Sequence, residues 1–297
     1  MSRSTLVAPT RCSIAAALAG DSPVGTAPPA RQWFLVEHPG PWGRLGYAGS
    51  GLDPIAVDAL AQWAQACGGR VVLIRRPGRA AQDRPPGRRW FRVDSRPGRE
   101  SIRTGVVTDE HELRAALADP AGDIHDEPLV LVCAHGRHDT CCAVSGRPVA
   151  AALARAEPEA VWECSHIGGC RFAPTMVLLP HGFVFGTLPE PAAALQLVTR
   201  YRAATVDERW MRGRSSLPPV VQAAQHAART QLAAPGVDAL KVVELAGDER
   251  LWTVRLAEPD CVVRLEERRV AAGRPLTCAA TNAGWLRTFD IVSVTPA

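Results

Sequence analysis

Apolar and polar positions along this chain fall into two rhythms. Short apolar runs read as strands buried on both faces, and longer stretches with apolar residues three or four apart read as helices. A short helix around Ile14–Ala19 comes first, followed by a Gly/Pro/Ala lead-in. RQWFLVE (31–37) is a strand that HPGPWG terminates. Leu52 to Cys67 carries Ile55, Ala59, Leu60 and Trp63 at helical spacing, GGR stops it, and VVLIRR is the next strand. After a Pro/Arg-rich loop come the strands WFRVDS and SIRTGVV. The helix TDEHELRAALADP follows, with Thr108 or Asp109 as its cap and acidic residues in its first turn.

The pattern then repeats its order. EPLVLVC is a strand, and AHGRHDTCCAVSG leads into a helix opened by Pro148, a favoured place for proline. VWECSH, PTMVLLP and FVFGTL are strands, and PEPAAALQLVTRYRA is a closing helix. Strand–helix–strand–strand–strand–helix is the core order of a thioredoxin fold. Pro174 opens the strand where such folds set a proline, often cis, beside the active loop. The segment from Arg31 to Asp119 has the same order without the cysteines. The expected fold is therefore α/β and thioredoxin-like, with two such units in tandem. The expected boundaries are 1–122 for a degenerate first unit, 123–204 for the second, and 205–297 for a C-terminal helix and small antiparallel sheet. ERWMRGRSSLPP reads as a linker, and Cys12, Cys67, Cys261 and Cys278 read as core residues.

Composition adds limits. The chain has 297 residues, 46% of them hydrophobic, and its apolar runs are too short to cross a bilayer. SIAAALAG after Arg3 and Arg11 imitates a signal peptide only faintly, so a cytoplasmic location is expected. Ten arginines lie between Arg75 and Arg103, but the alternation in RRWFRV fits an outward-facing hairpin, and no nucleic-acid motif accompanies them.

The chemistry concentrates between Cys133 and Cys170, which hold five of the nine cysteines and three of the eight histidines. A clustered, odd set of cysteines favours ligands or redox chemistry over structural disulfides in a reducing compartment. Cys133 and Cys142 are separated by eight residues, and His166 and Cys170 by three. Two donor pairs on two loops at strand ends suit a [2Fe–2S] cluster, with Gly168 and Gly169 allowing close backbone approach. Cys164 and Cys141 are the alternates. Arg137, Asp139 and Pro174 are expected around the ligands, with Arg137 and Asp139 ordering the loop or tuning the metal. Two other readings compete. Zinc or a Rieske site is suggested by the C-x-H pairs Cys133/His135 and Cys164/His166, though the Rieske pattern needs a C-x-x-H as well. Thiol chemistry is suggested by the adjacent Cys141 and Cys142, but no C-x-x-C occurs.

CAHGRHDTCC, HIGGCRFAPTMVLLPHGFVFG, VEHPGPWG and RGRSSLPPVVQAAQHAAR resemble the sucrase/ferredoxin-like family, which belongs with the thioredoxin-like [2Fe–2S] ferredoxins. The resemblance covers most of residues 30–200. It implies Cys133, Cys142, His166 and Cys170 as cluster ligands, a hybrid between an all-cysteine set and one whose second pair is two histidines. Electron transfer or redox sensing with an unidentified reductase or acceptor follows from it. No enzyme is indicated, since neither a nucleotide fingerprint nor a paired acidic motif for glycoside hydrolysis is present.

Overall fold

The structure, a computed structural model, describes residues 10–78, 86–118 and 122–297. Arg3, Arg79, Arg84 and the Asp119–Pro120 helix end lie outside the described residues. A helix α1 (Cys12–Leu18) leads into the first α/β half: β1 (Gln32–Glu37), α2 (Pro54–Cys67), β2 (Arg70–Arg75), β3 (Arg88–Asp94), β4 (Ser101–Val107) and α3 (Glu110–Ala118). Local chemistry sets these boundaries. Asp53 caps α2 by accepting from the Ile55 and Ala56 amides, with Pro54 in its first turn and Gly68 left-handed just past its end. Asp109 accepts from the Glu112 amide at 2.8 Å, while Glu112 accepts from the Thr108 amide at 2.6 Å, a reciprocal cap.

After a two-residue strand β5 (Asp123–Ile124) comes the second half: β6 (Leu129–Cys133), α4 (Thr140–Ala156), β7 (Val161–Cys164), β8 (Met176–Leu179), β9 (Phe183–Phe185) and α5 (Pro191–Arg202). Its helix α4 begins eight residues before the expected start at Pro148, which sits inside it. Asp139 explains this, because its side chain accepts from the Cys141 amide and nucleates the first turn. Cys141 and Cys142 therefore lie within the helix.

One sheet of ten strands runs in the order β10-β9-β8-β6-β7-β2-β1-β3-β4-β5, where β10 is Met211–Arg214. In the first half β1 is parallel to β2 and antiparallel to β3, and β3 is antiparallel to β4. In the second, β6 is parallel to β7 and antiparallel to β8, and β8 is antiparallel to β9. The halves thus share one order and one set of directions, and they meet through the equivalent strands β2 and β7, with Ile74 opposite Cys164.

Alternation along the strands builds two faces. Phe34 and Val36 pack with Leu60 and Leu113 under α2 and α3, and Val130 and Val132 pack with Leu153 and Leu197 under α4 and α5. Trp33, Leu35, Leu131 and Cys133 turn the other way into a cluster that spans both halves. Trp33, Phe34, Leu35 and Val36 are wholly buried, each such side chain worth about 1.5–3 kcal/mol. That two-sided burial explains the unbroken apolar runs.

The MRGR segment is a buried strand, not a linker. Its arginines reach distant partners: Arg212 bonds Thr26 and Gly168, and Arg214 bonds Glu100. A helix α6 (Pro219–Leu232) then packs against the antiparallel sheet β11 (Lys241–Gly247), β12 (Leu251–Ala257), β13 (Cys261–Ala271) and β14 (Trp285–Pro296) through Val221, Ala224, Val254 and Val263. Cys12 and Cys261 are buried as expected, Cys67 is half-buried, and Cys278 is exposed on the β13–β14 loop instead of in a strand. The apolar PLTCAA pattern mimicked a strand there. Among the described residues no helix is long and apolar enough to cross a membrane.

Candidate metal centre

Three segments deliver the cysteines and histidine. The end of β6 supplies Cys133, the first turn of α4 supplies Cys142, and the loop after β7 supplies His166 and Cys170. The donor atoms of Cys133, Cys142 and His166 lie within 4.8 Å of one another, and Cys170 Sγ is 3.5 Å from His166 Nδ1. Cys142 touches both Cys133 and Cys170, and His166 touches both as well. The four donors therefore close a ring, Cys133–Cys142–Cys170–His166. Gly146 allows this closeness: a Cβ there would sit 2.0 Å from the Cys133 carbonyl oxygen, so only glycine lets α4 approach the end of β6.

Charge inside the ring is divided unevenly. The bond from Cys142, then those from Cys164 and His166, hold the Cys133 thiol well below the usual range despite full burial. The Cys142 contact, aided by His166, brings Cys170 down to about 7. Burial opposes charge on His166, yet the Cys133 and Cys170 sulfurs together lift it to about 9. Cys142, donating to Cys133 and Cys170, is pushed strongly up. Negative charge is thus favoured on Cys133 and Cys170 and disfavoured on Cys142, and a metal bound here would displace the protons that the ring still holds.

The buried Arg212 and the half-buried Arg70 hold the His166–Cys170 loop from below. Arg212 Nη1 donates to the Gly168 carbonyl at 2.9 Å, and Arg70 Nη1 donates to the Ile167 carbonyl at 3.0 Å. Gly168 and Gly169 take φ of 100° and 77°, and a Cβ on Gly169 would come within 2.3 Å of the Arg212 guanidinium. These glycines thus serve the left-handed turn and the arginine's seat. The cis Ala173–Pro174 peptide lies next to Thr175, whose carbonyl accepts from the Cys133 amide at 3.0 Å. Pro174 thus sits beside the cysteine loop, as its position implied.

Other residues surround the ring. The His138 ring stacks on His166 with centroids 3.6 Å apart, and its Nδ1 lies 3.1 Å from the Arg44 carbonyl. His135 Nδ1 accepts from the His166 amide at 3.1 Å, and its ring stands edge-on to Trp42. Cys164 lies in register with Cys133 and touches its sulfur, but among the described residues it joins no group of three donors. Asp139 is buried, bonds the Cys141 and Cys278 amides, and has Cys142 and Cys170 within 4.8 Å. Arg137 is exposed, and among the described residues it makes no ion pair with Asp139. Cys141 points away from the ring toward Cys12 and Cys278.

Sequence reasoning missed Arg70, Arg212 and the stacked His138. The signal for Arg212 lay in plain view, since RGR belongs to a block already singled out by resemblance. The arginine-rich stretch is largely occupied by its own fold: Arg75 pairs with Glu163, Arg88 with Glu110, and Arg96 with Asp94.

A family model described as sucrase/ferredoxin-like matches residues 23–213. That span takes in both halves of the large sheet and all four ring residues, and it ends before α6 and the small sheet. The comparisons matched the chain to no curated protein and to no solved structure.

Proposed function

Because the chain belongs to the sucrase/ferredoxin-like family, we propose that it is a thioredoxin-like ferredoxin carrying one [2Fe–2S] cluster on Cys133, Cys142, His166 and Cys170. The closed ring of four donors is the observation that carries this reading. Three sulfurs and one imidazole suit iron–sulfur ligation. Strand order 7-6-8-9, with its proline beside the cysteine loop, supports a thioredoxin-like second half. The identical order 2-1-3-4 supports a first half of the same kind that lacks ligands.

Bound there, such a cluster takes up and returns one electron. The chain's own groups set how readily. One imidazole in place of a thiolate leaves the site one unit less negative, which raises the potential, as histidine does in Rieske centres. Arg70 and Arg212, half-buried and buried respectively and close enough to feel the Cys133 charge, favour the more negative reduced state. Of the four donors only His166 is partly exposed, so the stacked His166–His138 pair is the natural electron port. Near it, a cavity lined by Trp42, His135, Arg137 and Arg147 presents exposed arginines to an acidic redox partner. Nine unpaired thiols suit a reducing, cytoplasmic setting.

A single zinc ion is the competing occupant. The 3.5 Å Cys170–His166 separation is the edge of one tetrahedral metal, which zinc and one iron of a two-iron cluster share. Visible absorption and paramagnetic resonance of protein purified without oxygen, with iron and sulfide counted per chain, decide. Two irons and a reduced-state signal are expected; a colourless protein holding zinc in this ring overturns the reading.

A further inference from the structure

A second constellation stands beside the ring and shares none of its proposed ligands. Cys12 on α1, Cys141 in the first turn of α4 and Cys278 on the β13–β14 loop bring their sulfurs together: Cys12–Cys141 at 3.6 Å and Cys141–Cys278 at 3.4 Å. Asp139 completes the group, with its two oxygens 3.8 and 3.6 Å from the Cys12 sulfur, and all four donors lie within 4.8 Å of one another. Cys12, Cys141 and Asp139 are buried, and Cys278 faces solvent.

We propose that Cys12, Cys141, Cys278 and Asp139 form a zinc site of their own. Zinc bonds sulfur at about 2.3 Å and carboxylate oxygen at about 2.0–2.2 Å. A tetrahedron built on those lengths has sulfur–sulfur edges of about 3.8 Å and sulfur–oxygen edges of about 3.6 Å. The observed separations match both kinds of edge within a few tenths of an ångström, before any metal has drawn them in.

The surroundings are built for ligation. The Cys141 amide donates to Asp139 Oδ1 and the Cys278 amide to Oδ2, each at 2.9 Å, which aims the carboxylate and leaves each oxygen a lone pair for a cation. Ser13 Oγ donates to the Cys141 sulfur at 3.2 Å, and the Cys12 amide donates to the Cys278 sulfur at 3.4 Å, so each sulfur is oriented by a neighbouring donor. The site lies at the N-terminus of a 17-residue helix, where negative charge is stabilised. Arg171 and Arg274, both held on Asp21, add positive charge nearby, and Arg171 feels the Cys12 sulfur directly. The exposed Cys278 supplies an entry path. The carboxylate among the donors selects zinc over softer monovalent copper.

The inference stands apart from the cluster reading, because zinc and iron are counted separately. The experiment uses full-length protein purified without oxygen, analysed for both metals, and then exchanged with Co2+. One zinc per chain is expected. A cobalt–thiolate charge-transfer band is expected to disappear in Cys278→Ser while iron content stays unchanged. Cys278→Ser lies on an exposed loop, and Cys141→Ser provides a second variant should circular dichroism show the first misfolded. Absence of zinc and of the cobalt band from the wild type overturns the site. So does a band that survives Cys278→Ser but is lost in Cys133→Ser, or a thiol titration showing that two of the three sulfurs form a disulfide.

Discussion

Arg212 Nη1 donates to the Gly168 carbonyl at 2.9 Å, tying a strand at one end of the large sheet to the loop between two of the proposed ligands. The same guanidinium bonds the Thr26 carbonyl and hydroxyl, so its charge is spread over three oxygens in a buried seat.

Arg212→Ala is expected to take the donor from the partly buried Thr26 and Gly168 carbonyls and to destabilise the fold by about 2 kcal/mol, at roughly 1 kcal/mol for each group left to solvent. Urea unfolding measures the loss, and iron per chain should drop with it as the Gly168 turn relaxes. An unchanged midpoint would show that the arginine is dispensable.

His166→Cys tests the imidazole. In the native protein the potential is expected to fall as pH rises, by up to about 59 mV per pH unit for one proton coupled to one electron. In the variant the potential should be lower and nearly flat with pH. Cys164→Ser, by contrast, should keep both the iron and the slope. Redox titrations at several pH values read all three.

Gly146→Ala places a methyl 2.0 Å from the Cys133 carbonyl oxygen, far inside van der Waals contact. A displacement of α4 costing roughly 3 kcal/mol is expected, and Cys142 should move away from Cys133 with it. A variant with native stability and full iron content would mean that helix and strand are not held at that distance.

Acid sensitivity follows from buried imidazoles. Burial holds His226, and likewise His181, below the usual histidine range. Each therefore takes up its proton at a lower pH in the fold than the ordinary value of about 6.5 that it regains when the chain unfolds. Stability should be full above that value and decline as pH falls through it, because the unfolded chain then binds the extra protons. Each group contributes at most about 1.4 kcal/mol per pH unit. His226→Gln should flatten the slope of melting temperature against pH between 6.5 and 5, and an unaltered slope would remove His226 from this account.

The regular elements of both halves were legible in the sequence because each rests on a local pattern, such as the unbroken QWFLV and LVLV runs or the Gly68 stop. The C-x8-C and H-x3-C spacings likewise brought out residues that do converge. What the sequence hid depends on partners far along the chain. MRGR is a buried strand only because Thr26, Gly168 and Glu100 meet its arginines. Pro148 carried a helix-start signal, but Asp139 seized that role through a single side-chain bond. Cys12, Cys141 and Cys278 meet across 129 to 266 residues, a separation that no local rhythm reports.

The meeting of positions 12 and 278 also sets the order in which the molecule can be finished. A growing chain can fold the first half of the sheet, and then the second, while the ribosome is still reading the small sheet. The three-thiol group cannot close until residue 278 has emerged, after both halves of the large sheet have been made. Cys12 therefore waits, unpartnered by Cys278, while the 265 residues between them are made. A product cut short before Cys278 would show its defect far away in sequence, where α1 would have lost the sulfur that its first amide binds.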